Sequence, residues 1–344
     1  MTMERHFWRA TLDTNPDFCN LNCIMCEDHS PYGDDRATRK KQGRIRPTMD
    51  VALLERIIRE VAELGFKEII PSTMGEPLLY PHFDTFLDLC HELGLKLNLT
   101  TNGTFPSPSK HQNVEYWAKR IIPIGSDVKI SWNGASANVQ KDIMLGATIS
   151  EHISNAKRFI AVRDEMAHIN YCSLTMQLTF MRVNLDEIPA MVRMASDLGF
   201  DRVKGHQLWT HFPELKDQSL RNDSHYARRW NAVVDECEEI VWQHNASSKR
   251  ELRLDNFLKL ELENLEDISP AGTCPFLNKE IWVDPTGRFN VCCAPDQERR
   301  ALGDFGNLKT TNVKDIIEGE AYQRLVENYR EQPLCKSCNM RRPL

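Results

Sequence analysis

The sequence has 344 residues, 41% of them apolar and 27% charged, an ordinary globular composition in a chain long enough for one large domain with an appendage or for two domains. Its net charge of −6 argues against a general nucleic-acid binder. No apolar run approaches the roughly 18 residues of a membrane span, and residues 1–10 lack the apolar stretch of a secretory signal. The expectation is a cytoplasmic protein with no nucleic-acid or membrane partner.

In chain order, residues 9–15 read as a strand. Residues 27–47 are polar, with Arg36, Arg39, Lys40, Lys41, Arg44 and Arg46, and read as an exposed loop that is mainly solvated; holding an anionic substrate is the alternative. Thr48 or Asp50 can cap the next helix, where Val51, Leu54, Ile57, Ile58, Val61 and Leu64 recur at helical spacing before Gly65. A strand is expected at 67–72. The alternation then repeats: helix 81–93 and strand 95–101, helix 114–122 and strand 127–132, helix 149–166 and strand 174–182, helix 185–198 and strand 202–208. Strands separated by helices imply parallel βαβ units with right-handed crossovers. The fold class is therefore α/β, a partial (β/α)6 TIM-type barrel. A long helix is expected at 224–244 and a partly helical connector at 255–271. Two strands, 279–283 and 288–292, flank the turn sequence Asp284-Pro285-Thr286-Gly287 as a hairpin. A helix over 313–329 follows. The division expected is a barrel at 8–215, a helical segment and connector at 216–272, and a small cysteine-bearing domain at 273–344.

Eleven cysteines are many for a cytoplasmic chain, where clustered thiols read as metal ligands or catalytic groups. Cys90, Cys172 and Cys237 stand singly in apolar segments and should pack as small hydrophobes. Cys19-x3-Cys23-x2-Cys26 follows the first strand. Three thiolates on one loop can hold three irons of a cubane and leave the fourth open for a reacting ligand. A structural zinc site would want a fourth ligand, for which His29 is near. The position favours a reactive site, because barrel active sites lie where the strands end.

Other polar groups mark the remaining strand ends. Met74-Gly75-Glu76-Pro77 follows the second strand, Thr101-Asn102-Gly103 the third, Ser131 and Asn133 the fourth, and Arg182 and Asn184 the fifth. After the sixth comes Lys204-Gly205-His206-Gln207-Leu208-Trp209-Thr210-His211, where His206 or His211 can serve as a base near neutral pH.

Cys19-x3-Cys23-x-Met25-Cys26 resembles the cysteine motif of the radical S-adenosylmethionine (SAM) superfamily, over roughly residues 8–215. The resemblance implies that the open iron binds the amino and carboxylate groups of SAM. One electron then cleaves SAM to methionine and a 5′-deoxyadenosyl radical, which abstracts hydrogen from substrate. It implies adenine packing for Met25. Met74-Gly75-Glu76-Pro77 resembles the family's Gly-Gly-Glu-Pro segment, which receives the methionine ammonium; Met74 replaces the first glycine, and the backbone groups survive. By the same resemblance Thr101 and Asn102 line the cofactor, Ser131 and Asn133 contact its ribose, and Arg182 and Asn184 can meet its carboxylate; capping a loop or turn is the alternative for the last four. An external one-electron reductant such as flavodoxin or ferredoxin is implied.

Cys274, Cys292, Cys335 and Cys338 supply four thiolates, which on chemistry alone suit zinc or a fully ligated [4Fe–4S] cluster equally. Their spacing resembles the SPASM/twitch extension of radical SAM enzymes, in its shorter form with one auxiliary [4Fe–4S] cluster. Cys293 competes with Cys292 as a ligand, and the Gly287-x4-Cys292 spacing favours Cys292. The first strand begins near residue 9, so no N-terminal peptide-recognition domain is expected. On this reading the substrate is a small molecule, a sugar-like or other biosynthetic intermediate that is oxidised or epimerised. The alternative is radical modification of a peptide or protein side chain.

Overall fold

The computed structural model describes residues 7–72, 74–106, 109, 111–263, 265, 272–338 and 340–341. β1 (Arg9–Leu12) leads into the first cysteine loop, which holds a two-residue strand, β2 (Asn22–Cys23). The segment expected as a loop contains a short helix, α1 (Arg36–Lys41). Asp35 caps it by accepting the Thr38 N–H at 2.7 Å, and its arginines and lysines are good helix formers. α2 (Val51–Glu63) starts at Asp50, whose carboxylate accepts the Ala52 and Leu53 N–H groups, and buries Leu53, Leu54, Ile57, Ile58 and Val61. Then come β3 (Glu68–Ile70), α3 (Phe83–Glu92), β4 (Lys96–Thr101), α4 (Val114–Ile121) and β5 (Gly125–Ser131). α5 (Ala137–Ile143) and β6 (Met144–Leu145) were not expected. α6 (Ile149–Glu165), β7 (Ser173–Phe180), α7 (Ile188–Leu198), β8 (Arg202–Gln207) and α8 (Ser224–Ser247) restore the alternation.

Beyond α8 the structure adds β9 (Arg253–Asp255), a strand where the sequence offered only a connector. The rest of that connector lies partly outside the described residues. β10 (Glu280–Val283) and β11 (Phe289–Asn290) form the expected hairpin, with Gly287 at φ +87 in its turn. α9 (Asp296–Arg299) follows. The single helix expected at 313–329 is two, α10 (Val313–Glu318) and α11 (Glu320–Asn328), because Gly319 is extended (φ −67, ψ 149). α12 (Pro333–Lys336) carries Cys335.

The chain folds into two compact units. The first takes residues 1–18, 46–98 and 267–344. Its strand order is β11-β10-β1-β3-β4, parallel except for the β10–β11 hairpin. The hairpin thus extends the sheet edge at β1 in register, Arg9 facing Glu280 and Leu12 facing Val283. Arg9 ties three strands, with Nε 2.6 Å from Glu68 and Nη1 3.0 Å from Glu280. Ala10, Leu12, Ile69, Leu97, Ile281 and Val283 are buried along these strands.

The second unit takes residues 19–45 and 99–266. Here β4 is followed in order by β5, β7, β8 and β9, and β7, β8 and β9 each run parallel to the strand before. β7 alternates: Leu174, Met176, Leu178 and Phe180 form one buried apolar face, while Ser173, Thr175, Gln177 and Thr179 line the other. The Phe180 ring lies across β8: a Cβ on Gly205 would stand 2.1 Å from it, so only glycine fits there. Cys172 and Cys237 are buried here as small core residues, as Cys90 is in the first unit. No helix among the described residues is long and apolar enough to cross a membrane.

Candidate active site

The first cysteine loop is fastened by its backbone and seated on an apolar floor. Cys23 faces Met144 in the β2–β6 pair, Ile24 N–H donates to the Ile143 carbonyl at 2.9 Å, and Cys26 N–H donates to the Cys23 carbonyl at 3.0 Å. Leu21, Ile143, Met144, Met181 and Leu208 form that floor, and Cys19, Cys23 and Met25 pack against it. Met25 is therefore at least a loop anchor. Burial, then the nearby Cys26 and Cys19, holds the Cys23 thiol well above its ordinary pKa. Burial likewise pushes Cys26 up to about 12, against hydrogen bonds from the Asp28 and His29 backbones. Cys19 accepts the Leu21 N–H at 3.4 Å and the Asn102 Nδ2–H at 3.7 Å. Three convergent thiols that resist ionising together are a poor anion site and a good cation site. They fit a cluster that holds them as thiolates.

Phe18, the residue before Cys19, is held by the segment after β3. Its carbonyl accepts the Glu76 N–H at 2.8 Å, and Asn15 Nδ2 donates to the Glu76 carbonyl at 2.9 Å. Gly75 has φ +75, and a Cβ there would stand 2.4 Å from the Asn15 carbonyl oxygen. Glu76 is fully buried; its Oε1 accepts the Leu78 N–H at 3.2 Å, and Pro77 opens a short 3-10 turn. Met74 lends a carbonyl to the Ser72 hydroxyl.

In the second unit, Thr101 and Asn102 are brought to the cysteine loop. Asn102 Nδ2 donates to Asn20 Oδ1 at 2.8 Å as well as to Cys19, and the Gly103 N–H donates to Thr101 Oγ1 at 3.4 Å. His152, which sequence reading missed, lies buried beneath this turn. Its Nε2 is 2.7 Å from the Asn102 carbonyl and its Nδ1 3.2 Å from that of Thr148. Burial holds its pKa down. Asn133 turns inward: its Oδ1 accepts the Thr179 N–H at 2.8 Å, while Asn184 Nδ2 donates to the Asn133 and Thr179 carbonyls. These asparagines staple β5 to β7. Ser131, the last residue of β5, is half-buried. Arg182 turns to α8, 3.8 Å from Asp223 and stacked 4.0 Å over Tyr226.

His206 and His211 are placed differently. His206 reaches solvent, yet the surrounding protein, and then Lys204, hold its pKa down to about 4; Gln177 Nε2 lies 3.4 Å from its Nδ1. His211 stands beside Trp209 and Phe212, with ring centroids 6.3 and 6.4 Å away, and Phe212 is 6.4 Å from Tyr32 of the cysteine loop. Burial lowers the His211 pKa while nearby Asp28 raises it.

Cys274, Cys292, Cys335 and Cys338 all lie in the first unit, near enough for the charge of one thiolate to act on the others. Burial, then Cys338, raises Cys274; burial, then Cys274 among other groups, brings Cys292 to about 11; burial, then Cys274, Cys292 and Cys338, brings Cys335 to about 12. Cys293 also feels Cys292 and Cys338, but it is exposed where Cys292 is half-buried. Tyr329 and Tyr322 brace the approach, their hydroxyls accepting the Cys274 and Asn278 N–H groups at 3.3 and 3.0 Å. As thiolates the four would repel one another, and a multiply charged metal centre offsets that repulsion.

Residues 16–195 match the Radical SAM superfamily, and residues 274–339 match SPASM, an iron–sulfur cluster-binding domain. A tungsten-containing aldehyde ferredoxin oxidoreductase cofactor-modifying protein of Pyrococcus furiosus is 22% identical over 94% of this chain and 85% of its own. A PqqA peptide cyclase of Methylobacterium nodulans is 26% identical over 54% of this chain and 43% of its own length, so less than half of that relative is spanned. Among solved structures, Streptococcus suis SuiB bound to S-adenosylmethionine superposes with a TM-score of 0.64 at 17% identity, over 97% of this chain and 72% of SuiB. The enzyme anSMEcpe with bound AdoMet superposes at 0.60 and 14% identity, over 96% and 88% of the two chains. At these identities the superpositions speak to fold: α/β, a mostly parallel partial barrel with a C-terminal extension.

Proposed function

Because the chain belongs to the radical SAM superfamily and carries a SPASM cluster-binding domain, we propose that it is a radical SAM enzyme acting on a side chain of a peptide or protein. The observation that carries the peptide reading is the 188-residue likeness to PqqA peptide cyclase. It outweighs the expectation of a small-molecule substrate, which nothing specific in the site supports. The family's cofactors are SAM with a [4Fe–4S] cluster, together with auxiliary iron–sulfur chemistry in the SPASM domain. Cys19, Cys23 and Cys26 would hold the first cluster, which when bound supplies the electron for reductive cleavage of SAM. Cys274, Cys292, Cys335 and Cys338 would hold one auxiliary cluster.

The chain's own residues have definite tasks on this reading. Asn102 and the Leu21 N–H orient the Cys19 sulfur and favour its thiolate. Asn15 and the left-handed Gly75 fix the backbone at Glu76, where the SAM ammonium would be received. Arg182, already matched by Asp223, is a weaker candidate for the SAM carboxylate than the sequence implied. Trp209, His211, Phe212 and Tyr32 offer an aromatic surface suited to a peptide side chain. His206, its pKa lowered, is neutral and a weak proton acceptor, so it is a poorer candidate for the base than the sequence implied.

The test is anaerobic reconstitution with SAM, dithionite and peptides encoded beside the gene. 5′-Deoxyadenosine and a mass change in one peptide are expected from the native enzyme, and neither from Cys23→Ala. Stoichiometric conversion of a small molecule with every peptide left unchanged would replace the peptide reading.

A further inference from the structure

Arg299 closes α9 and is only 5% exposed. Its Nη2 lies 3.3 Å from Asp13 Oδ2, and its Nη1 donates to the carbonyl of Cys292 at 3.4 Å. Asp13 is buried too, directly after β1, where its N–H donates to the Val283 carbonyl at 2.8 Å. A guanidinium so far from water is costly unless its charge is matched. Asp13 matches it from one side, and the other side faces the cysteine segment.

We propose that Arg299 is a positioning residue of the C-terminal thiolate site, fixing the Cys292 backbone and setting the reduction potential of the cluster that the four thiols hold. This rests on reading Cys274, Cys292, Cys335 and Cys338 as cluster ligands. Reduction adds one negative charge to a site already carrying four thiolates. A cation in the same low-dielectric surroundings lowers the energy of the more negative state further, so it raises the potential. Asp13 holds the guanidinium toward Cys292 and offsets part of that effect. Arg299 would thus make the auxiliary cluster a better electron acceptor.

The experiment compares the reconstituted full chain with Arg299→Gln, Arg299→Lys and Asp13→Asn. It reads iron per chain, the thermal midpoint, and the potential of each cluster by EPR-monitored titration. Arg299→Gln should lower the reduced-to-oxidised ratio of the auxiliary cluster about tenfold at the native midpoint, a negative shift of about 59 mV for one electron. The SAM-binding cluster should not move. Arg299→Lys, which keeps the charge, should stay near the native potential. Asp13→Asn should shift the potential the other way, and it decides the matter if Arg299→Gln fails to load iron. A folded, fully loaded Arg299→Gln with an unmoved potential would mean that the residue only braces the fold. Native protein with about four irons and one zinc would overturn the cluster reading and this proposal with it, whereas about eight irons with unmoved potentials overturns this proposal alone.

Discussion

At Gly75 the backbone is left-handed, and the Asn15, Phe18 and Pro16 carbonyl oxygens lie 2.4, 2.9 and 3.1 Å from where a Cβ would sit. The backbone term alone costs a non-glycine residue about 1–2 kcal/mol. Carbonyls cannot swing aside as a flexible side chain can, so the real cost is higher. Gly75→Ala should therefore destabilise the protein by more than about 2 kcal/mol in chemical denaturation and reduce iron loading at the first cluster. Native stability in that variant would show that the segment yields. The Gly-Glu-Pro run was legible in the sequence, but its reason was not, because the obstructing carbonyls lie some 60 residues earlier. Asn15, His152 and Arg299 were missed on the same ground. Each is one polar residue without a local pattern, and its partner lies 61, 50 or 286 residues away.

Elements long enough to show a period were readable, and short ones were not. α2, β4 and β7 follow their apolar spacing closely, whereas β6 and β9, with two and three residues, offer no repeat to detect. α6 shows what an element can hide: its buried face carries His152 under the Asn102 turn. The folded protein keeps this imidazole neutral, while in the unfolded chain it takes a proton below about pH 6.5. The unfolded state thus binds more protons as the pH falls, and the folded state loses stability. The thermal midpoint should drop between pH 7.5 and 5.5, and His152→Gln should flatten part of that slope, the rest belonging to His206 and His211. An equally steep slope in the variant would mean that His152 is not one of the groups responsible.

At the scale of the whole molecule, the C-terminal segment is a structural part of the first unit. β10 supplies parallel partners to all four residues of β1, and Glu280 supplies one of the two carboxylates that hold Arg9. A chain cut before residue 272 should leave the β1 edge open and its backbone groups without those partners, and exposed edges of this kind aggregate. Little of the truncated protein should be soluble on expression; a soluble product with the native thermal midpoint would sink this expectation. The pairing has a cost in time as well. Arg9 and Glu280 are 271 residues apart, and translation adds roughly 5–20 residues per second. On the ribosome β1 therefore waits roughly 15–50 seconds for the strand that covers it. During that wait the nascent chain exposes the same edge that the finished protein conceals, so its yield in a cell should depend on chaperones that shield it until synthesis is nearly done.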